Sequence, residues 1–361
     1  MIRILLIIPR FAPYWGGTEL RMRSIAEALQ QRGFSFTVLT RRFSWRLPEE
    51  EDIAGLHVVR LPAPMPLFRF FAARWIARHP GDIDLVHSFR LDKTGMIGAN
   101  AAENFGLPHM AEAITNEAEK MLLQQKGRAA LVAICDSGVI HTLGQATSDV
   151  LTHAGLPPEK IWLRGNAVDT SLYYPNPQPA AGPLTVLCCG RLERQKGSDI
   201  LIEAWKGLPP VLRATARLVL AGTGKWEKRI RAAAHNVEGV IFAGAVPKAE
   251  IPALYRAAHI YIQPSRFEGM SNAILEAMAS GLPIISTSIP ANRGVIENGL
   301  NGLLVPPDDV AALRTALIRL MEDATQRAHY GLMARATAES RFALTDLFND
   351  YTHRYRQLAG N

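Results

Sequence analysis

Residues 260–286 read IYIQPSRFEGMSNAILEAMASGLPIIS, and this stretch decides the fold. Its opening apolar run is strand-like and stops at Pro264. A turn at Gly269 follows, and Ser271, a favoured capping residue, opens a helix. Gly281-Leu282-Pro283 ends that helix, and residues 283–286 begin another strand-like run. Strand, glycine loop, helix, strand is the repeating unit of a doubly wound α/β sheet. The first amides of the helix, at the strand's carboxyl end, offer an anion site. Glu268 stands just before the helix and Glu276 one to two turns inside it, so both can face one bound molecule. A carboxylate beside phosphate is unfavourable, which makes the hydroxyls of a sugar or ribose its natural partners. An internal cap or salt bridge is the alternative role for Glu276.

The same rhythm runs outward in both directions. Strand-like runs are expected at 184–189, 217–221 and 240–243 on this side of the chain, and at 2–8, 34–40, 56–61, 85–87 and 131–134 on the other. Between the two sets, residues 166–183 are too rich in proline to continue a helix or a central strand. The expected organisation is a first domain over 1–165, a linker over 166–183, a second domain over 184–340 and a terminal helical segment over 341–361. With 361 residues, 48% of them hydrophobic, two domains can each bury a core. No apolar run approaches the ~20 residues of a membrane span, and the run at the start is short for a signal peptide. The expected location is cytoplasmic.

A second loop, Gly190-Arg191-Leu192-Glu193-Arg194-Gln195-Lys196-Gly197, follows the first strand of the second domain. It puts two cations where open α/β sheets bind ligands. Arg suits planar bidentate recognition of phosphate and Lys supplies a point charge. Alone, such a loop reads more readily as a solvated basic turn. Beside the 264–283 segment, phosphate recognition is the stronger reading.

Several chemistries are excluded. The first strand runs into Pro9-Arg10-Phe11-Ala12-Pro13-Tyr14-Trp15-Gly16-Gly17 rather than a G-x-G-x-x-G loop, which argues against a dinucleotide oxidoreductase. Gly222-Thr223-Gly224-Lys225 is followed by Trp226 and so lacks the hydroxyl of a phosphate-binding P-loop. Cys135, Cys188 and Cys189 form no CxxC, and no helix-spaced metal pair occurs; no metal site is expected. The net charge is +7, but residues 1–80 hold 12 Lys+Arg against 6 Asp+Glu while 81–170 hold 7 against 11. The excess is local and points to an anionic acceptor or surface. Residues 66–79 mix arginines with Phe and Trp. They read either as a membrane-surface helix or as a helix packed on the sheet with snorkelling arginines.

The sequence closely resembles the family-4 retaining glycosyltransferases. The resemblance rests on Glu-Gly-x5-Leu-Glu-Ala-Met-Ala-x-Gly-x-Pro at 268–283, Gly-Arg-Leu with Lys-Gly at 190–197, and Gly-Gly-x-Glu at 16–19. Weaker echoes lie at 166–169, 218–222 and 301–305. The resemblance implies the GT-B fold: two Rossmann-like domains facing a cleft, with the last helix returning to the first domain. It implies that Arg191 and Lys196 hold a donor diphosphate, that Glu268 meets the transferred sugar, and that Glu276 meets the ribose. Arg191, Lys196 and Glu268 would then be the catalytic set. Gly190, Gly222, Val246 and the backbone of Gly269, Met270, Ser271 and Asn272 would complete the donor site, with Gly16 and Gly17 approaching from the first domain.

The implied reaction retains anomeric configuration. It moves a hexosyl unit from a nucleotide sugar to a saccharide or lipid-linked acceptor in envelope polysaccharide or lipopolysaccharide assembly. A UDP-sugar is favoured and GDP-mannose is the other candidate donor. No cofactor is implied, since the donor is a substrate and no DxD motif falls near the expected nucleotide site. A histidine common in the family at the end of a strand is replaced here by Ile114, so His87, Glu112 and Asn116 become the candidates on the acceptor side. A structural role for His87 has equal standing. Expected partners are the donor and acceptor, with peripheral membrane contact kept open and nucleic acid not expected. The rival readings are a sugar-nucleotide epimerase on the same architecture and a basic-surface binding protein.

Overall fold

The computed structural model describes the chain except residues 15, 63, 114–116, 177–181 and 361, and the side chains of Glu117 and Glu119. The chain divides into two compact units, Met1–Gly165 with Thr345–Asn361, and Asn166–Leu344.

The first unit holds β1 (Ile2–Ile7), β2 (Phe34–Arg42), β3 (Glu50–Ile53), β4 (Leu56–Pro62), β5 (Leu85–Phe89), β6 (His109–Ala113), β7 (Gly138–Thr142) and β8 (Ile161–Leu163). They form one sheet in the order β3-β4-β2-β1-β5-β6-β7-β8. Every pair is parallel except β3 with β4. Strand order reverses between β1 and β5, and crevices for ligands open at the carboxyl ends of strands at such a reversal.

The second unit holds β9 (Leu184–Cys189), β10 (Ala216–Ala221), β11 (Val240–Gly244), β12 (Ile260–Gln263), β13 (Ile284–Thr287) and β14 (Gly302–Val305). Its sheet is wholly parallel, in the order β11-β10-β9-β12-β13-β14. Order reverses between β9 and β12, the strands that lead into the two loops singled out above.

Both sheets are covered by helices whose buried residues recur at helical spacing. Phe68, Ala72 and Ile76 of the helix Met65–Arg78 pack on Leu5, Leu39 and Val86. The same helix leaves Leu67 and Phe70 exposed, together with Arg69, Arg74 and Arg78. Residues 131–134, expected as a strand, lie inside the helix Gln125–Ser137. Leu131, Ile134 and Cys135 are buried while Val132 is exposed, a three-four spacing that a four-residue apolar run does not reveal. The strand is β7, directly after it.

The proline-rich segment is docked onto the second unit over its described part. Val168 bridges to Ala343, and Tyr173 is buried against Tyr255. The helix Leu344–Leu358 buries Leu347, Tyr351 and Tyr355 at a four-residue spacing; Tyr355 lies against Phe34 and Phe36, and Tyr351 against Trp162. No helix among the described residues is long and apolar enough to cross a membrane.

Candidate active site

In the second unit, two glycines bring the loops after β9, β10 and β12 together. Gly197 has φ +68, and a Cβ there would lie 1.9 Å from the Pro264 carbonyl oxygen. Gly222 has φ +134, and its Cβ would lie 2.0 Å from the Gly190 oxygen. Only glycine permits both approaches. Buried Leu192 anchors the 190–197 loop, donating its N–H to the Thr223 oxygen and accepting from Trp226 N–H.

Arg266 fastens this loop to the end of β12. It grips Asp199 with two 2.9 Å bonds, donates to Asp308 and reaches the Arg194 carbonyl. The paired guanidinium holds the Asp199 carboxyl below its ordinary range despite partial burial.

Lys196 Nζ then donates to Glu268 Oε1 at 2.6 Å. The same oxygen accepts from Ser265 Oγ at 2.7 Å and Gln263 Nε2 at 2.9 Å. Gln263 Oε1 in turn accepts from Tyr261 OH at 2.9 Å and Ser271 Oγ at 2.8 Å. Glu268 is thus aimed by an internal network through the residue that caps the helix Asn272–Ala279. Asn166 holds the turn before that helix by donating Nδ2–H to the Met270 carbonyl.

Arg191 points outward and pairs at 3.2 Å with Glu193. Val246 is partly buried against the apolar core containing Leu275 and Met278. Gln263, Ser265 and Arg266 complete the constellation and were not among the residues expected from sequence. Both Arg266 and Ser265 adjoin the motif, but the partners that define the role of Arg266 lie up to 72 residues away.

Glu276 is partly buried, with hydroxyls of Tyr255 (3.0 Å) and Tyr173 donating to it. Burial raises its pKa, against the opposing effect of the two tyrosines and Lys248. A raised carboxyl pKa means stability that is full below the ordinary value of 4.5 and is lost as pH rises through the folded value. Glu276→Gln is therefore expected to stabilise the ligand-free protein at pH 7–8 by about 0.5–2 kcal/mol, with the gain closing below pH 4.5. Thermal melts across pH check this; a destabilised variant at pH 8 would refute it.

In the first unit, Gly16 and Gly17 begin the helix Gly17–Gln30, where Glu19 accepts the Gly16 N–H at 3.0 Å. His87 and Glu112 are fully buried. Glu112 pairs with Arg21 and, at 3.3 Å, with His141, while His87 Nδ1 and Tyr355 OH lie 2.8 Å apart. With no exposed surface, neither is placed to touch an acceptor, although His87 Nε2 and Glu112 Oε2 have no hydrogen-bond partner; the cluster anchors the terminal helix instead. Asn116 lies outside the described residues. His87, Glu112 and His141 are close enough to share an ion, and the Arg21 guanidinium supplies the counter-charge of the one anionic ligand through Glu112 Oε1.

Residues 15–172 match Glycosyltransferase Family 4, and residues 183–323 match Glycosyl transferases group 1. The chain belongs to the family-4, group 1 glycosyltransferases. This glycosyltransferase is 29% identical to the D-inositol 3-phosphate glycosyltransferase of Acidothermus cellulolyticus, over 85% of this chain and 78% of the relative. Its fold is GT-B. The Anabaena protein HepE, solved in complex with UDP, superposes with a TM-score of 0.83 at 20% identity, over 99% of this chain and 100% of HepE. WaaG, a glycosyltransferase involved in lipopolysaccharide biosynthesis, does so at 0.75 and 18%, over 99% and 100%.

Proposed function

We propose that this glycosyltransferase moves a hexosyl unit, with retention of configuration, from a nucleotide-diphosphate sugar to a saccharide or lipid-linked acceptor in envelope polysaccharide assembly. A UDP-sugar is the favoured donor. The observation that carries the reading is the convergence, at the β9/β12 reversal, of Lys196, the network-aimed Glu268 and the capped helix start at Ser271. As the glycosidic bond breaks, positive charge grows on the sugar and negative charge on the departing diphosphate. Lys196, Arg191 and the helix-start amides answer the second charge, and they do so more in the transition state than in the ground state. Glu268 meets sugar hydroxyls and Glu276 the ribose. No residue of this set requires a metal for its part.

A thermal-shift screen of UDP, GDP, ADP and their sugars tests the proposal. A ligand at 100 times its Kd adds about 2.7 kcal/mol, and silence from every nucleotide sugar would sink it.

Exposed Leu67 and Phe70, set among Arg69, Arg74 and Arg78 on a helix without an acidic residue, favour a second contact, with an anionic membrane face. Sedimentation with phosphatidylglycerol vesicles, but not phosphatidylcholine vesicles, is the expected outcome. Equal behaviour with both would refute it.

A further inference from the structure

In the first unit, the segments after β1, β2, β4 and β5, four neighbouring strands, surround a cavity of about 680 Å³. Its charged and aromatic lining is Arg10, Arg41, Arg90, Asp92, Tyr14 and Phe43. We infer that this cavity binds the acceptor through an oxyanion, and that the acceptor is an acidic saccharide bearing a phosphate or carboxylate. The acceptor role rests on the glycosyltransferase reading; the anion chemistry rests on the cavity itself.

Three guanidiniums face one carboxylate, and that carboxylate is already used. Asp92 accepts from Arg90 Nε at 3.1 Å and caps the helix Lys93–Phe105 through Thr94 N–H. Among the described residues no carboxylate pairs with Arg10 or Arg41. Arg41 Nε is buried without a hydrogen-bond partner, a desolvation cost that an incoming acceptor oxygen would relieve.

The two arginines are instead held by aromatic rings. The Arg10 guanidinium lies 5.0 Å from the Tyr14 ring centre, and that of Arg41 lies 4.6 Å from the Phe43 ring centre. The rings meet edge to face at 5.8 Å, and Phe43 is exposed. A ring wall beside fixed guanidiniums suits a molecule with an apolar sugar face and an anionic substituent. Arg90 has φ +90, a conformation that is strained for a non-glycine residue and that concentrates at binding sites. The volume falls within the usual range for a small-molecule site. Arg10 and Arg41, two members of the local basic excess in residues 1–80, thereby gain a chemical purpose beyond donor binding.

Calorimetric titration of the full chain with glucose 6-phosphate, glucuronate, glucose and inorganic phosphate tests this, with UDP, GDP and ADP as donor-side controls. The first two probes separate phosphate from carboxylate as the source of the anion, and binding of either supports the inference. The expected result is at least tenfold tighter binding of one of them than of glucose or inorganic phosphate. Arg41→Ala and Arg10→Ala should each weaken that binding about tenfold and leave the nucleotide controls unchanged. Equal affinity for glucose, or for inorganic phosphate, would overturn the inference, as would binding that neither substitution weakens. Should Arg41→Ala not fold, Arg10→Ala decides alone. Nucleotide binding with arginine-independent sugar binding overturns this inference only. Arginine-dependent acidic-sugar binding without any nucleotide binding sinks the donor reading and sustains the anion site.

Discussion

Lys196→Ala is expected to lower turnover about 10²–10³-fold with little loss of fold. The ammonium is the inward-facing cation of the 190–197 loop, whereas Arg191 is mostly exposed and paired with Glu193. An exposed charge is screened by water, while a partly buried one acts through a lower dielectric and carries more of the charge developing on the leaving diphosphate. Removing Lys196 does not strand Glu268, because Ser265 Oγ and Gln263 Nε2 still donate to the same carboxylate oxygen. The folding penalty is therefore on the order of 1 kcal/mol, the scale of a single hydrogen bond. Initial rates with saturating donor, set beside a thermal melt, separate the two effects. A variant that melts normally and keeps most of its turnover would remove Lys196 from the mechanism. Arg191→Ala, by the same reasoning, should weaken donor binding more than it slows the chemical step.

The residues that were legible in the sequence are those whose meaning is local. The stretch 260–286 carries its own strand end, cap and stop, so the placement of Glu268 and Glu276 about a helix start needs no distant partner. Gly197 and Gly222 stand beside chemistry-bearing residues, although the carbonyls that forbid a side chain at each become visible only once the strands are ordered. What stayed hidden depends on long-range meetings. Gln263 and Ser265 are the local exception: they look like ordinary residues at the end of β12, and their positioning role exists only because the turn folds Glu268, five and three residues on, back onto them. His87 and Glu112 became candidates as substitutes for the histidine replaced by Ile114, and nothing local to them separates a ligand-facing group from an internally paired one. What separates the two cases is Arg21, 91 residues from Glu112, and Tyr355, 268 residues from His87. The misread run at 131–134 fails for a simpler reason: four apolar residues satisfy a strand and a helix equally.

The pairing of Glu112 with Arg21 has a large energetic consequence. Glu112→Ala is expected to destabilise the first unit by about 3–5 kcal/mol, because it leaves the Arg21 guanidinium charged and buried without its counter-ion. Burial by itself would raise the Glu112 pKa, yet the Arg21 charge and the His141 contact outweigh it and hold the carboxyl well below its ordinary range. Arg21 Nη1 already lacks a partner, so the loss adds to a donor that is unsatisfied in the wild type. A depressed carboxyl pKa contributes stability that is present above the ordinary value of 4.5 and disappears as pH falls through the folded value. The gap between wild type and variant should hold at pH 7 and narrow only below about pH 4.5. Because Tyr351 and Tyr355 pack on this cluster, the first backbone amides to lose hydrogen-exchange protection should be those of the helix Leu344–Leu358. Replacing both charges, as in Arg21→Met with Glu112→Leu, removes the desolvation cost together with the attraction and should recover most of the lost stability. If the single variant matches wild type in urea melts at pH 7, or the double variant is worse than the single, the cluster is not a charge-paired anchor. A single variant that is weak and a double variant that is restored would show that the terminal helix is held by a satisfied ion pair whose two members must be present or absent together.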